Sequence, residues 1–238
     1  MYPVQRRRSA PRPIPALTLA VLATLAVLAG MLPARPAGAA AGRLSAAGAT
    51  AARQLITVTA PSYSSTYATL RAYRRSGHRW VRVLGPWTAR VGYNGIAPAG
   101  RKREGDGRTP SGTYGFSFFF GVLPNPGVAF RWRHAYRYDV WDDDPASPRY
   151  NEWVDEQTAG RKAAGVDPEP MHNQPAYDYA AVIAYNTART PGLGSAIFLH
   201  VGTGTATAGC VSLPAWQLLD VLRWLSPGSR PLISISAR

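Results

Sequence analysis

The sequence predicts a mostly β fold around a single core, and three observations carry that expectation. Apolar residues make up 46% of the 238 and charged residues 17%, a balance that can bury a core of ordinary size. The chain is cut by 21 prolines and 23 glycines into short runs, which suits strands and turns and excludes a helical bundle. Several of those runs are built of β-branched and aromatic residues bounded by Pro, Gly and Ser, the composition of short strands.

Taken in order, Arg6, Arg7, Arg8 and Arg12 precede an apolar run over 14–32 and the small-x-small triplet Ala37-Gly38-Ala39, the layout of an export signal. Residues 1–39 are expected to be a signal peptide or a signal anchor, since the run of 19 approaches the length that spans a bilayer. An uncleaved anchor would be the only membrane contact, and the domain is expected in the cell envelope or outside the cell. Residues 40–53, rich in Ala, Gly and Ser, read as a flexible tether, and 54–238 as one folded domain. Within it, 55–59 (LITVT), 67–73, 80–84 and 88–91 read as strands. The segment 123–173 is irregular, aromatic and proline-rich, and is expected to shape a groove. Strands are expected again over 180–186 and 195–201. Residues 214–225 read as the one clear helix, with Pro214 in its first turn, Leu218, Val221, Leu222 and Leu225 on one face and Pro227-Gly228 as its stop. A last strand, 231–236 (PLISIS), ends the pattern, and no internal repeat is present.

A net charge of +14 invites a nucleic-acid reading, but 25 of the 27 basic residues are arginine, scattered along the sequence with no zinc-finger spacing or RNA-binding aromatic signature. No nucleic-acid partner is expected, and the protein is expected to be a monomer. Asp142, Asp143 and Asp144 lack the alternating spacing of a calcium loop and read as a solvated turn. His78, His134, His172 and His200 are far apart, without HExxH spacing, so neither a metal nor a cofactor is expected.

Cys210 is the only cysteine and has no partner for an intramolecular disulfide. A free thiol is a hazard in an oxidising compartment, which leaves two readings, a small buried apolar residue or a nucleophile. In residues 195–213, SAIFLHVGTGTATAGCVSL, an apolar strand ends at His200, a loop of small residues turns, and a strand resumes at Cys210. If the two strands pair about an apex at Thr205, His200 and Cys210 stand opposite each other, with Cβ atoms about 4.5–5.5 Å apart. The imidazole could then take the thiol proton, and Gly209 would let an amide approach the developing oxyanion.

Two segments resemble the L,D-transpeptidase catalytic domain, or YkuD-like, family. Residues 102–114, KREGDGRTPSGTY, look like its Gly-Asp-Gly turn leading into Thr-Pro-x-Gly-x-Tyr. Residues 200–213 look like its nucleophile segment, with Thr207, Gly209 and Cys210 matching the ending Ser/Thr-x-Gly-Cys. Two departures stand out: Ala208 occupies a position where members commonly carry a second histidine, and His200 lies only ten positions before Cys210.

The resemblance implies a β-sandwich domain with a short C-terminal helix, and a catalytic set of Cys210, His200, Gly209 and the carbonyl of Val201. It also implies that peptidoglycan stem peptides are the partner. Cys210 would form a thioester with a stem tetrapeptide, releasing the terminal D-alanine, and pass the acyl group to an amine of another stem as a 3→3 cross-link. Transfer to water would instead be L,D-carboxypeptidase activity, and a non-catalytic wall-binding module would hold the same peptides in the same groove. Thr207, Ser212, Trp141, Tyr150, Asn151, Glu169 and Tyr177 are the candidates for lining that groove.

Overall fold

A computed structural model describes residues 52–238, and the expected signal segment over 1–39 and nearly all of the tether over 40–53 lie outside them. The elements are β1 (Gln54–Ala60), β2 (Tyr67–Ser76), β3 (Arg79–Arg90), β4 (Ile96–Ala97), β5 (Thr109–Pro110), β6 (Gly112–Tyr114), β7 (Phe116–Gly121), β8 (Trp132–His134), β9 (Asp139–Asp142), β10 (Glu152–Asp155), α1 (Glu156–Ala159), β11 (Glu169–Pro170), β12 (Ala180–Ile183), β13 (Phe198–Val201), β14 (Val211–Leu213), α2 (Ala215–Trp224) and β15 (Leu232–Ala237). The fold is mostly β, as expected. Ten strands form one curled sheet in the order β6-β15-β1-β2-β3-β14-β13-β12-β7-β8, with β10-β9-β11 and β4-β5 as small separate sheets.

The core follows from strand alternation. Along β1 the buried residues Ile56, Val58 and Ala60 alternate with half-buried neighbours, and Ala68, Leu70 and Ala72 of β2 and Ile233 and Ile235 of β15 meet them on one face. The expected helix is α2, which lays Leu218, Val221 and Leu222 into the same cluster; each such side chain contributes about 1.5–3 kcal/mol by leaving water. Its C-terminal end is closed by buried Gln54, whose amide donates to the Trp224 carbonyl at 2.6 Å and accepts from the Ser226 amide at 2.9 Å.

Two expectations about strands need correction. Residues 80–84 and 88–90 belong to one long strand, β3, with Val91 just beyond its end, because the intervening Gly85-Pro86 is absorbed as an irregularity opposite Leu70 and Ala72. Gly85 has φ +79, and a Cβ there would lie 2.5 Å from the Leu70 carbonyl oxygen, so only glycine lets the two strands stay paired. The second correction concerns the segment from His200 to Cys210. β13 and β14 pair parallel, with Leu199 opposite Val211 and His200 opposite Ser212, so there is no hairpin about Thr205 and Cys210 does not face His200 across a ladder. The chain leaves β13 at Val201 and crosses back to the start of β14. On the way, Thr207 bridges the chain just beyond β3 through bonds from its amide to the Val91 carbonyl (3.0 Å) and from the Tyr93 amide to its own carbonyl (2.7 Å).

The segment 123–173 is irregular, as expected, but carries β8 to β11 and α1. The Asp run within it is not a solvated turn. Asp142 is fully buried, accepting from the Ser147 hydroxyl at 2.5 Å and the Asp144 amide at 3.1 Å, and Asp144 accepts from the Ala146 and Val166 amides.

Candidate active site

The Gly-Asp-Gly turn is built by the side chain of Asp106. Its carboxylate accepts from Lys102 Nζ at 2.6 Å, from the Arg103 amide at 2.8 Å and from the Arg108 amide at 2.9 Å, closing the loop on itself. Gly107, with φ +65, sits under Tyr93, whose ring would be 2.2 Å from a Cβ at this position. The turn delivers Thr109, which is fully buried. Its hydroxyl accepts from the Gly92 amide at 2.9 Å and donates to the Cys210 carbonyl at 3.2 Å.

The two motif segments therefore back directly onto each other. The Thr207 hydroxyl also donates to the Cys210 carbonyl, at 2.7 Å, and accepts from the Gly209 amide at 3.2 Å, so Thr207 clamps the loop that carries Cys210. Gly209 has φ +152, and a Cβ on it would come within 3.0 Å of the Arg108 carbonyl oxygen, which fixes glycine at the contact between the segments.

Cys210 is 7% exposed and packs with Phe120, Phe198, Tyr177 and Met171 while lining a cleft of about 310 Å³. Its sulfur accepts from the Phe198 amide and donates to the Ala196 carbonyl, both at 3.3 Å. Burial, together with the charge of Glu169, pushes the thiol well above its ordinary pKa, so the sulfur is a neutral thiol. His200 lines the same cleft. Its Nδ1 donates to the Val201 carbonyl at 2.8 Å, and its ring meets Tyr177 edge to face at 5.5 Å. Burial lowers its pKa to about 4 against the pull of hydrogen bonding to the backbone at Val201 and Ala176, so the ring is neutral at physiological pH with its lone pair on Nε2.

Of the residues expected to line a groove, Thr207, Ser212, Glu169 and Tyr177 meet in this cleft with Cys210, His200 and Gly209. Ser212 stands beside His200 in the parallel pair and is 1% exposed, and its hydroxyl has no hydrogen-bond partner among the described residues. Tyr177 donates its hydroxyl to Glu169, whose carboxyl is pushed up to about 7 by burial and by the charges of Asp143 and Glu104.

Trp141, Tyr150 and Asn151 do not line the cleft. Trp141 and Asn151 border a separate depression with Phe118 and Trp153. Trp141 Nε1 donates to Asn151 Oδ1 at 3.0 Å, and the same oxygen accepts from the Ala196 amide at 3.2 Å, so this pair braces the segment that receives the thiol. Buried Tyr150 donates to Glu104 and accepts from the Gly194 amide at 3.0 Å.

Sequence reasoning missed Thr109, Glu104 and Asp143 as individual site residues. Glu104 and Thr109 lay within the recognised turn segment, but Asp143 was hidden in an Asp run with no spacing signal. Asp143 and Glu104 line the cleft, and Asp143 is raised to about 6, first by burial and then by Glu104.

No curated protein and no solved structure matches the chain. Residues 63–233 match the family described as YkuD, L,D-transpeptidase catalytic domain, a span that contains both motif segments and every cleft residue named above. With that match over most of its length, the chain belongs to the L,D-transpeptidase catalytic domain family.

Proposed function

We propose that the protein is an exported, cysteine-dependent L,D-transpeptidase that acts on peptidoglycan stem tetrapeptides. The observation that carries this reading is that the only cysteine lines a cleft together with a neutral histidine whose Nδ1 is tied to the Val201 carbonyl. In the first half-reaction the Cys210 sulfur attacks the carbonyl carbon of the third stem residue. His200 Nε2 takes the thiol proton and returns it to the nitrogen of the departing D-alanine, leaving a thioester. Because burial raises the thiol and lowers the imidazole, a resting thiolate–imidazolium pair is disfavoured, and proton transfer accompanies attack once substrate fills the cleft. Release of the sulfur from Ala196 and Phe198 is part of that step.

In the second half-reaction an amine of another stem takes the acyl group. Incubating residues 41–238 with purified muropeptides and analysing the products by mass spectrometry tests the reading. Dimers with loss of D-alanine are expected; loss of D-alanine without dimers assigns the protein as an L,D-carboxypeptidase, and unchanged muropeptides that still bind make it a wall-binding module. By family resemblance a carbapenem should add one drug mass at Cys210.

A further inference from the structure

Three carboxylates in the cleft have no part in the steps above. Glu104 arrives from the Asp106 turn, Asp143 from the end of β9 and Glu169 from β11, and all three line the cavity that holds Cys210. Glu104 accepts from the Tyr150 hydroxyl and Glu169 from the Tyr177 hydroxyl, but neither forms an ion pair among the described residues. The ion pairs among the described residues are Lys102–Asp106, Arg133–Asp139 and Arg189–Glu152, so the cleft's own lysine is held by the turn. The mutual repulsion is visible in Glu169 and Asp143, raised to about 7 and about 6 by burial with neighbouring carboxylates adding to it.

A second, separate observation is the Ser212 hydroxyl, 1% exposed on the wall of the same cleft and without a hydrogen-bond partner among the described residues. An unsatisfied buried hydroxyl and uncompensated carboxylates are relieved together by one kind of ligand, a compact cation rich in N–H donors.

We propose that Glu104, Asp143 and Glu169 form the acceptor half of the cleft, a subsite that takes a primary amine as its ammonium ion, with Glu169 receiving the proton the nitrogen must lose before it attacks. The proposal rests on the acyl-transfer reading above for its chemistry, though not for the binding it asserts. The ammonium gives one proton to the Glu169 carboxylate, and its freed lone pair forms the N–C bond to the thioester carbonyl carbon. As the C–S bond breaks, its electron pair returns to the Cys210 sulfur, which recovers the second nitrogen proton through His200. The neutral imidazole cannot hold the first proton and still relay the second, which gives a second base a distinct task. Ser212 accepts an N–H of the bound nitrogen, and the carboxylates favour a charged amine over water as the nucleophile.

The test separates binding from turnover. In the Cys210→Ala background, affinity is measured by calorimetry for an acceptor muropeptide with a free side-chain amine and for the same muropeptide N-acetylated at that amine. Acetylation should weaken binding at least tenfold with all three carboxylates present, and by less than threefold after Glu169→Gln or, independently, Asp143→Asn. An equal loss in all backgrounds overturns the subsite. With Cys210 restored, Glu169→Gln should lower transfer to the amine at least a hundredfold more than it lowers acylation by a carbapenem, with product shifting to hydrolysis; equal losses in both half-reactions overturn the assigned proton acceptor. A wild-type chain that is never acylated sinks the transpeptidase reading instead, while the acetylation cycle still decides the subsite.

Discussion

Replacing Thr109 by valine tests the joint between the two motif segments. The residue is fully buried, and its hydroxyl accepts from the Gly92 amide at 2.9 Å and donates to the Cys210 carbonyl at 3.2 Å. Valine nearly preserves the volume, so the change falls on the polar partners. The Cys210 carbonyl retains Thr207 at 2.7 Å, whereas the Gly92 amide loses its acceptor. A buried donor left unsatisfied costs about 1–3 kcal/mol, and a lost neutral hydrogen bond about 1 kcal/mol. The variant should therefore lose about 2–4 kcal/mol, which for a domain of this size lowers Tm by about 4–16 °C. Thr207→Val takes the second hydroxyl from the Cys210 carbonyl and the acceptor from the buried Gly209 amide, and should cost about 1–3 kcal/mol alone. The double variant should exceed the sum of the two, because only then does the Cys210 carbonyl lose both hydroxyls. Urea unfolding followed by tryptophan fluorescence measures all three. A loss below about 0.5 kcal/mol for Thr109→Val, within the range of an ordinary surface change, or strict additivity of the pair, would refute the claim that these hydroxyls jointly hold the nucleophile loop.

Cys210→Ser should abolish dimer formation from muropeptides with the fold intact, and His200→Ala should lower it by about 10²–10⁴, the double variant being scarcely worse than either single one. Full cross-linking by a folded Cys210→Ser protein would leave the binding module as the better account. Gly112→Val should lower melting temperature and activity together, since φ is +145 and a Cβ there meets the Tyr114 hydroxyl at 2.4 Å; lost activity at an unchanged Tm would move this segment into the substrate site. Burial holds His200 near 4, below its ordinary 6.5, so the stability gained from the neutral ring is complete above pH 6.5 and is lost as pH falls through about 4, about 3 kcal/mol in all. His200→Gln should flatten that part of the stability curve, and an unchanged curve assigns the acid sensitivity elsewhere. Because its pKa is raised, Cys210 should react with iodoacetamide at pH 7.5 at least about ten times more slowly than a small free thiol; labelling at the free-thiol rate contradicts a neutral, buried sulfur.

Strand positions were legible because composition marks them: β1, β2, α2 and β15 lie within a few residues of where β-branched runs, proline and leucine spacing put them. Register was not. The ten-position spacing of His200 and Cys210 suggests a hairpin, yet β13 and β14 are buried along their whole length, which is the signature of parallel strands covered on both faces. The signal was present in the apolar FLHV and was outweighed by symmetric spacing. The carboxylates at 104, 143 and 169 could not be assembled from sequence, since only tertiary packing brings three distant loops to one cavity. The basic residues, by contrast, can be placed from sequence alone: residues 67–90, the β2–β3 hairpin, hold six arginines and no acid.

The last strand, β15, lies inside the sheet, paired parallel with β1 on one side and antiparallel with β6 on the other. The first strand of the domain thus waits for the last one, with Leu55 to Ala60 unable to complete their ladder until Leu232 to Ala237 have been made. A ribosome or a translocation pore delivers the chain from its N-terminus, so the whole domain emerges before its sheet can close. The cleft is assembled late for the same reason, since β6, which follows the Asp106 turn, docks on β15. Removing the final seven residues would take out the strand that joins β1 to β6, and a C-terminal fusion must leave Ala237 free to pair.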